Sequence, residues 1–106
     1  MIAMHWIEAA SAFSALASDA RLEVLRTLVR AGPTGLTVGE IQERTNMAPS
    51  TLAHHLKFLV AGEVVEQIRE GRSIRNRASF ERLEAIAGFI LFECCADEKQ
   101  ELTGNG

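Results

Sequence analysis

Hydrophobic residues recur at helical spacing in the first third of the chain, and this pattern predicts two helices. The first extends from about His5 to Ala17. The second begins after a capping residue, Ser18 or Asp19, and ends at Gly32-Pro33, where the chain cannot continue as a helix. The apolar positions expected to face the core are Ala9, Ala10, Phe13, Leu16 and Ala17 in the first helix, and Leu22, Leu25, Leu28 and Val29 in the second.

The segment that follows contains start and stop signals for two further helices separated by a short turn. Thr37 and Glu40 form a capping-box pattern, in which each side chain bonds the other's backbone amide, so the third helix starts near Val38. It is expected to end near Thr45-Asn46, because asparagine tolerates the left-handed conformation of a sharp turn. Pro49 suits the first position of a fourth helix, where its missing amide proton costs nothing.

The fourth helix has one apolar side and one polar side. The apolar side is predicted to contain Leu52, Leu56 and Leu59, with His55 or Val60 beside them. The other side carries small, polar and basic residues, namely Ser50, Thr51, Ala53, His54 and Lys57. We expect His55 to pack inward and to accept a local hydrogen bond, because buried polar groups find partners.

A hairpin and a last helix complete the predicted elements. Residues 64–68 and 73–77 have strand-like composition and are joined around Glu70-Gly71. From Phe80 to about Cys95, apolar residues again follow helical spacing, and this helix is too apolar to have a single buried stripe. A second copy of the chain, packed against the first and last helices, would cover the excess apolar surface.

The order of these elements predicts a mainly α fold with a small β-hairpin. It is typical of a winged helix-turn-helix with five helices and a two-stranded wing, in which the second helix of the motif enters the DNA major groove. At 106 residues the chain forms one domain, residues 1–106, with residues 97–106 expected to be a flexible tail. We expect a homodimer formed through the first and last helices.

The acidic net charge does not exclude a DNA partner. The formal charge of -3 argues at first sight against binding phosphates. However, the residues after Phe92 include four acidic side chains and one lysine, which account for all of that charge. Between Lys57 and Arg77, five basic residues oppose three acidic ones, so a locally basic surface is expected. No apolar run approaches the roughly 20 residues that cross a bilayer and no signal peptide is apparent, so we expect a cytoplasmic protein.

Three segments of the chain match a known family. They are Leu16-Ala17-Ser18-Asp19-Ala20-Arg21-Leu22 at the start of the second helix, Ser50-Thr51-Leu52-Ala53-His54-His55-Leu56-Lys57 on the fourth helix, and Arg69-Glu70-Gly71-Arg72 at the wing. From about Phe13 to Cys95 the chain resembles the ArsR-type bacterial repressors, homodimeric winged-helix proteins that leave DNA when they bind a metal, metalloid or redox signal. The resemblance implies a repressor that binds double-stranded operator DNA.

The resemblance also assigns roles to single residues. It implies that Ser50, Thr51, His54 and Lys57 touch bases or phosphates, and that Arg69, Arg72 and Arg75 grip the backbone or minor groove beside the site. Arg77 is expected to be a solvent-exposed charge at a strand end. The chain departs from the family pattern after the fourth helix, where relatives usually have glycine. Here Glu63 occupies that position and Gly62 precedes it, so we expect the exit turn to shift.

The signal that such a repressor would sense is expected at Cys94-Cys95. Residues 37–41 contain no thiol and no histidine follows His55, so the two common sensor sites of the family are excluded by residue type. Adjacent thiols suit a soft ion, and a subset of the family carries a similar pair, which implies trivalent arsenic or antimony as the inducer, bound at Cys94 and Cys95. A third ligand would come from a small thiol or solvent, the partner subunit's cysteines, or His5. No cofactor is expected to be required for folding.

Three alternatives remain open from the sequence. The two cysteines could instead form a redox or persulfide switch, or serve only as small apolar residues without a sensory role. The chain could also be a winged-helix interaction module without DNA binding, which its acidic pI supports. A thiol enzyme that uses Cys94 or Cys95 with His5 has little support, because no oxyanion donor motif, glycine-rich phosphate loop or orienting acid accompanies them. We therefore do not expect an enzyme.

Overall fold

Within residues 4–98 the chain forms five helices and one β-hairpin, as the sequence predicts. The computed structural model describes residues 4–98, so most of the tail expected at 97–106 lies outside the described residues. The elements in chain order are α1 (Trp6–Leu16), α2 (Asp19–Ala31), α3 (Val38–Thr45), α4 (Pro49–Ala61), β1 (Val65–Glu70), β2 (Ser73–Ala78) and α5 (Phe80–Leu91). The two strands pair antiparallel from Val65 with Ala78 at the base to Glu70 with Ser73 at the tip.

The boundaries of α3 and α4 are set by local side-chain and backbone preferences. The Thr37 amide donates to Glu40 Oε1 at 2.8 Å, and the Glu40 amide donates to Thr37 Oγ1 at 3.3 Å. Asn46 ends α3 in the left-handed conformation, with φ of 60°. Pro49 is the first residue of α4. The predicted capping box, turn residue and helix start are therefore confirmed.

One apolar core connects the helices to the base of the hairpin. α2 lies centrally and packs against α3, α4 and β2. The largest fully buried side chains are Val24, Leu28, Ile41, Leu52, Leu59, Val64, Val65 and Asn76. Four of the five helices in residues 4–98, α2 to α5, contribute leucine or isoleucine side chains to this core, so packing fixes the relative orientation of α3 and α4.

The buried sides of α1 and α2 differ from the predicted ones. α1 buries three alanines spaced three residues apart, Ala9, Ala12 and Ala15. The expected core positions Ala10, Phe13 and Ala17 are exposed instead. In α2, Val24, Leu25 and Leu28 are buried, while Leu22 and Val29 are exposed. α1 is therefore rotated relative to the prediction, because its small side chains let it approach α4 closely.

A glycine at the end of α4 makes that approach possible. A β carbon built on Gly62 would lie 2.4 Å from the β carbon of Ala15. Gly62 itself has φ of -80°, and it is Glu63 that takes the left-handed conformation, with φ of 64°. The expected shift of the exit turn was therefore wrong. Glu63 occupies the left-handed position itself, and its carboxylate lies 2.6 Å from a guanidinium nitrogen of Arg82.

α5 is shorter than predicted. It ends at Leu91, because Phe92 has an extended backbone with φ of -58° and ψ of 132°. Cys94 and Cys95 consequently lie in turns after the helix and not within it. Neither α5 nor any other helix within residues 4–98 has the length and apolar content to cross a membrane.

The hairpin turn lies one residue later than predicted. Glu70 pairs with Ser73, so the two turn residues are Gly71 and Arg72. Gly71 has φ of 61°, the positive value that glycine allows at the first central position of a two-residue turn. Arg72 therefore projects from the tip of the hairpin.

Candidate nucleic-acid interface

The outer side of α4 carries four exposed side chains that were predicted to contact DNA, Ser50, Thr51, His54 and Lys57. Their orientation follows from the opposite side of the helix, where Leu52, Leu56 and Leu59 are buried. The cap residue of α4 is Ala48, which has no side-chain hydrogen bond to offer. The first amides of α4 and the hydroxyls of Ser50 and Thr51 therefore lie at an exposed helix N-terminus, where backbone N–H groups and the helix dipole favour phosphate.

His54 belongs to a stack of side chains that connects α4 with α1. The rings of His54 and Phe58 meet edge to face, with centroids 4.9 Å apart. The guanidinium group of Arg21 lies over the same Phe58 ring, with its carbon 4.7 Å from the ring centroid. Arg21 Nε also donates to the backbone oxygen of Ala15 at 2.7 Å, near the end of α1. One row of contacts thus runs from α1 to an exposed side chain of the outer face.

Arg21 and Phe58 were missed by the sequence reasoning. A usable signal existed for Phe58, because residues four apart on a helix contact each other and His54 precedes it by four. In the structure Phe58 is 43% exposed, so its ring lies at the surface beside His54. No local signal identified Arg21, because its partners lie on α4 and at the end of α1.

His55 packs inward, but not as expected. It is half-buried, and its buried Nδ1 has no hydrogen-bond partner among the described residues. The expectation that it accepts a local hydrogen bond was therefore wrong. Burial lowers the pKa of His55, and the positive charge of Arg21 and the neighbouring His54 lower it further. Both effects favour the neutral ring.

The wing presents two free cations and two paired ones. Arg69 and Arg72 are exposed and form no ion pair within residues 4–98. Arg75 donates from Nε to Glu70 Oε1 at 2.9 Å and is half-buried. Arg77, expected to be a free solvent-exposed charge, is half-buried and donates to Glu66 Oε1 at 2.9 Å. The free positive charge of the wing is therefore concentrated on Arg69 and Arg72.

The cysteine pair is accessible and close together. Cys94 and Cys95 are both exposed, and their sulfur atoms are 3.2 Å apart. Contact with Cys94, and to a smaller extent burial, raises the pKa of the Cys95 thiol. Within the part of the chain that the structure describes, no three His, Cys, Asp or Glu side chains come close enough to hold a metal ion. His5 does not complete such a site in a single chain.

A large apolar surface is exposed on α1 and at the end of α5. Its members are Trp6, Ile7, Ile90, Leu91 and Phe92, of which Trp6 is 80% and Phe92 75% exposed. Trp6 contacts Phe89 edge to face, with ring centroids 5.0 Å apart. α1 and α5 therefore form a continuous apolar surface, on the two helices that the sequence predicts to lie between subunits. Such a surface marks an interaction site.

Known proteins share this fold and part of this sequence. A family model described as a helix-turn-helix domain matches residues 16–68. No curated protein sequence matches the chain. An ArsR-like transcriptional regulator from Rhodococcus sp. RHA1 is 30% identical and superposes with a TM-score of 0.75, covering 94% of this chain and 91% of that one.

Two further solved structures extend the comparison. The homodimeric winged helix-turn-helix DNA-binding domain from Mycobacterium bovis, described as a possible ArsR-family transcriptional regulator, is 32% identical, with a TM-score of 0.65 and coverage of 87% of this chain and 81% of that one. NolR from Sinorhizobium fredii is 26% identical, with a TM-score of 0.64 and coverage of 86% and 94% respectively. All three align with most of the chain.

Proposed function

Because the chain belongs to the ArsR family of winged helix-turn-helix DNA-binding transcriptional regulators, we propose that it is a homodimeric repressor released from its operator when trivalent arsenic or antimony binds at Cys94 and Cys95. It is a regulator and not an enzyme. The observation that carries the sensing proposal is the exposed pair of sulfur atoms 3.2 Å apart, directly after α5.

Operator binding is assigned to the outer side of α4 and to the tip of the wing. Ser50 and Thr51 would bind phosphates at the exposed start of α4, while His54 and Lys57 reach base edges or phosphates farther along the helix. Arg69 and Arg72 would bind the backbone or minor groove beside the major-groove site, since their guanidinium groups have no ion-pair partner within residues 4–98. Arg75 is the exception, because Glu70 and a backbone carbonyl already engage it.

Dimerisation is assigned to the apolar surface of α1 and α5. The domain from Mycobacterium bovis is homodimeric, and a second copy packed on this surface would remove Trp6, Ile90, Leu91 and Phe92 from water. Two copies related by a two-fold axis would place two α4 helices against successive major grooves of one face of the duplex. A palindromic operator is therefore expected.

Metalloid binding would act through the position of the cysteines. Soft thiolates bind arsenic and antimony in their trivalent state, and both sulfurs can reach one ion. Since no third protein ligand lies nearby in the described part of one chain, a third ligand would come from a small thiol or from the partner subunit. Fixing residues 94–95 changes how the end of α5 docks in the dimer, and hence the spacing of the two α4 helices. A coupling of about 1–3 kcal/mol suffices for such a switch.

A redox switch at the same cysteines is the second candidate. The exposure of both thiols and their short separation favour it, since a sensor thiol must be accessible. The raised pKa of Cys95 argues against it, because oxidation proceeds through the thiolate. Metalloid binding is less affected, since the ion itself displaces the thiol protons.

The experiment is an operator titration with and without arsenite. A labelled palindromic duplex, selected by the wild-type protein from a randomised library, is titrated with the reduced protein. The proposal expects arsenite to weaken binding, and expects the Cys94→Ser/Cys95→Ser variant to bind with wild-type affinity and no response. Unchanged affinity in arsenite, or an undiminished response in the double variant, would exclude the sensing role. A response to peroxide but not to arsenite would favour the redox candidate.

A further inference from the structure

Arg75, in the middle of β2, connects the wing to the loop before α3. Its Nη1 donates to the backbone oxygen of Gly35 at 3.2 Å. Gly35 lies 40 positions earlier in the chain. Its Nε donates to Glu70 Oε1 at 2.9 Å, across the hairpin. Nη1 also lies 3.8 Å from Glu40 Oε1, and the Arg75 side chain is 28% exposed. The guanidinium group therefore contacts both strands of the wing and the start of the helix-turn-helix.

These contacts extend a stronger attachment at the base of the wing. Leu36 and Asn76 exchange two backbone hydrogen bonds of 2.8 and 2.7 Å. The fully buried Asn76 side chain donates a third to the Leu36 oxygen at 3.3 Å. Gly35 approaches β2 so closely that a β carbon built on it would lie 2.6 Å from the backbone oxygen of Asn76. Arg75 is the outermost contact of this attachment and the one nearest the wing tip.

Glu40 gives the attachment a direct connection to α3. Its Oε1 accepts the Thr37 amide at 2.8 Å and so caps the helix. The hydrogen bond from the Thr37 backbone is the main cause that lowers the pKa of Glu40, and the charges of Arg75 and Arg44 lower it as well. Arg75 therefore faces a carboxylate that is charged at neutral pH and that belongs to the first helix of the helix-turn-helix.

The other two wing arginines have a different setting. Arg69 pairs with Ile74 and Arg75 pairs with Ile68, so the side chains of Arg69 and Arg75 point to opposite faces of the hairpin. Arg69 and Arg72 are exposed and without ion pairs in residues 4–98, whereas Arg75 already donates from Nε and Nη1 to protein oxygens and is only 28% exposed. Three arginines near the same wing tip thus have two distinct environments.

We propose that Arg75 is a positioning residue, which holds the wing at a fixed angle to α3 and α4 so that Arg69 and Arg72 reach the DNA. It does not itself neutralise a phosphate. This assignment rests on the proposed DNA-binding function of α4 and the wing, and it replaces the role that family resemblance gives to Arg75. It predicts that loss of Arg75 weakens DNA binding through the two neighbouring arginines.

Salt dependence separates a positioning residue from a phosphate contact. The dissociation constant for the selected duplex is measured over a series of salt concentrations. The proteins compared are wild type, the single variants Arg69→Ala, Arg72→Ala, Arg75→Ala and Arg75→Lys, the double variants Arg72→Ala/Arg75→Ala and Arg69→Ala/Arg72→Ala, and the triple variant Arg69→Ala/Arg72→Ala/Arg75→Ala. Each phosphate contact contributes a slope of about 0.9 to the plot of log affinity against log salt. Thermal melting of each variant verifies folding, and Arg75→Lys carries the comparison if Arg75→Ala does not fold.

The expected result has four parts. Arg72→Ala lowers the slope by about 0.9, and Arg75→Ala alone binds more weakly. Adding Arg75→Ala to the Arg69→Ala/Arg72→Ala variant leaves the slope unchanged, because a positioning residue acts only through the two arginines already removed. Arg75→Lys does not restore affinity, because one ammonium group cannot reproduce the planar pair of hydrogen bonds to Glu70 and Gly35. Arg72→Ala has a smaller effect on affinity when Arg75 is already replaced, since a misplaced wing has less contact to lose.

Several results would overturn the proposal. They are a further slope reduction of about 0.9 when Arg75→Ala is added to Arg69→Ala/Arg72→Ala, full affinity in Arg75→Lys, and unaltered affinity in Arg75→Ala. If the wild type selects no duplex, the proposed function and the role of Arg75 both fail. If the wild type binds but Arg72→Ala and Arg69→Ala both leave its affinity unchanged, the wing does not contact DNA, and the role of Arg75 fails while that of α4 stands.

Discussion

Gly62 and Ala15 lie so close together that a β carbon on Gly62 would be 2.4 Å from that of Ala15. Because Gly62 has an ordinary φ of -80°, this glycine is required by contact and not by backbone conformation. The contact sets the distance between α1, at the proposed dimer surface, and α4, at the proposed DNA surface. It also determines which side of α1 faces inward.

We predict that Gly62→Ala destabilises the protein by about 1–3 kcal/mol, the usual cost of overpacking a tight contact. Ala15→Gly in the same chain should recover part of that loss, although a glycine within α1 costs about 1 kcal/mol by itself. Chemical denaturation of the two single variants and the double variant measures the coupling. Gly39→Ala is the control, because a β carbon there would meet only Thr37 Oγ1, at 4.0 Å, and Ala15→Gly should not change its effect. If the two substitutions change the free energy of unfolding additively, the contact between Gly62 and Ala15 does not limit the approach of α1 to α4.

The pH dependence of stability should depend on His55. Burial lowers its pKa, so the unfolded chain binds a proton more readily than the folded one as pH falls below the ordinary histidine value of 6.5. Stability is therefore expected to decrease as pH falls from 7 toward 5. His55→Leu should flatten this decrease and also remove the partnerless Nδ1. Denaturation midpoints across that range provide the measurement, with the exposed His54→Gln as control. Equal pH profiles for wild type and His55→Leu would contradict this account.

Leu91→Asp should convert the proposed homodimer to a monomer. Leu91 belongs to the apolar surface of α1 and α5 and is 64% exposed in a single chain. In the proposed dimer this position would be buried, and an unpaired carboxylate buried there would destabilise the interface. Sedimentation equilibrium distinguishes the two states. Val29→Asp places the same charge on an exposed residue of α2 and should leave the dimer intact. A dimeric Leu91→Asp variant would place the interface elsewhere. A monomeric wild type would exclude the homodimer.

The sequence predicted the features that depend on neighbouring residues. The capping box of Thr37 and Glu40, the left-handed Asn46 and the helix start at Pro49 all arise within a few positions of one another. The exposure of the outer side of α4 followed equally directly from the spacing of its leucines. Interactions between residues close in sequence were therefore sufficient to predict the helix-turn-helix.

Features decided by distant contacts were not predictable from these patterns. The inward side of α1 depends on Gly62, because alanines on several sides of the helix differ too little in hydrophobicity to select one. The apolar run continues past Leu91 without a helix-breaking residue, so nothing in it indicates the end of α5. The contacts of Arg75 with Gly35 and of Arg21 with Phe58 join residues far apart in sequence. The family resemblance assigned Arg75 to DNA, and no sequence pattern gave Arg21 a partner.

The measurement that tests the central claim most directly is the affinity of the α4 outer face for DNA. Fluorescence anisotropy of the selected duplex compares the wild type with a variant in which Ser50, Thr51, His54 and Lys57 are all alanine. All four side chains are exposed, so the variant should fold normally, which circular dichroism verifies. A control variant carries Arg26→Ala and Arg30→Ala, two exposed basic residues of α2.

We predict salt-dependent binding by the wild type, near-identical affinity for the α2 control, and loss of sequence-specific binding in the α4 variant. Since each good base contact contributes about 1–3 kcal/mol, removing four candidate side chains should reduce affinity at least a hundredfold. Wild-type affinity in the folded α4 variant, or an equal loss in the α2 control, would contradict the assignment of α4 as the recognition helix.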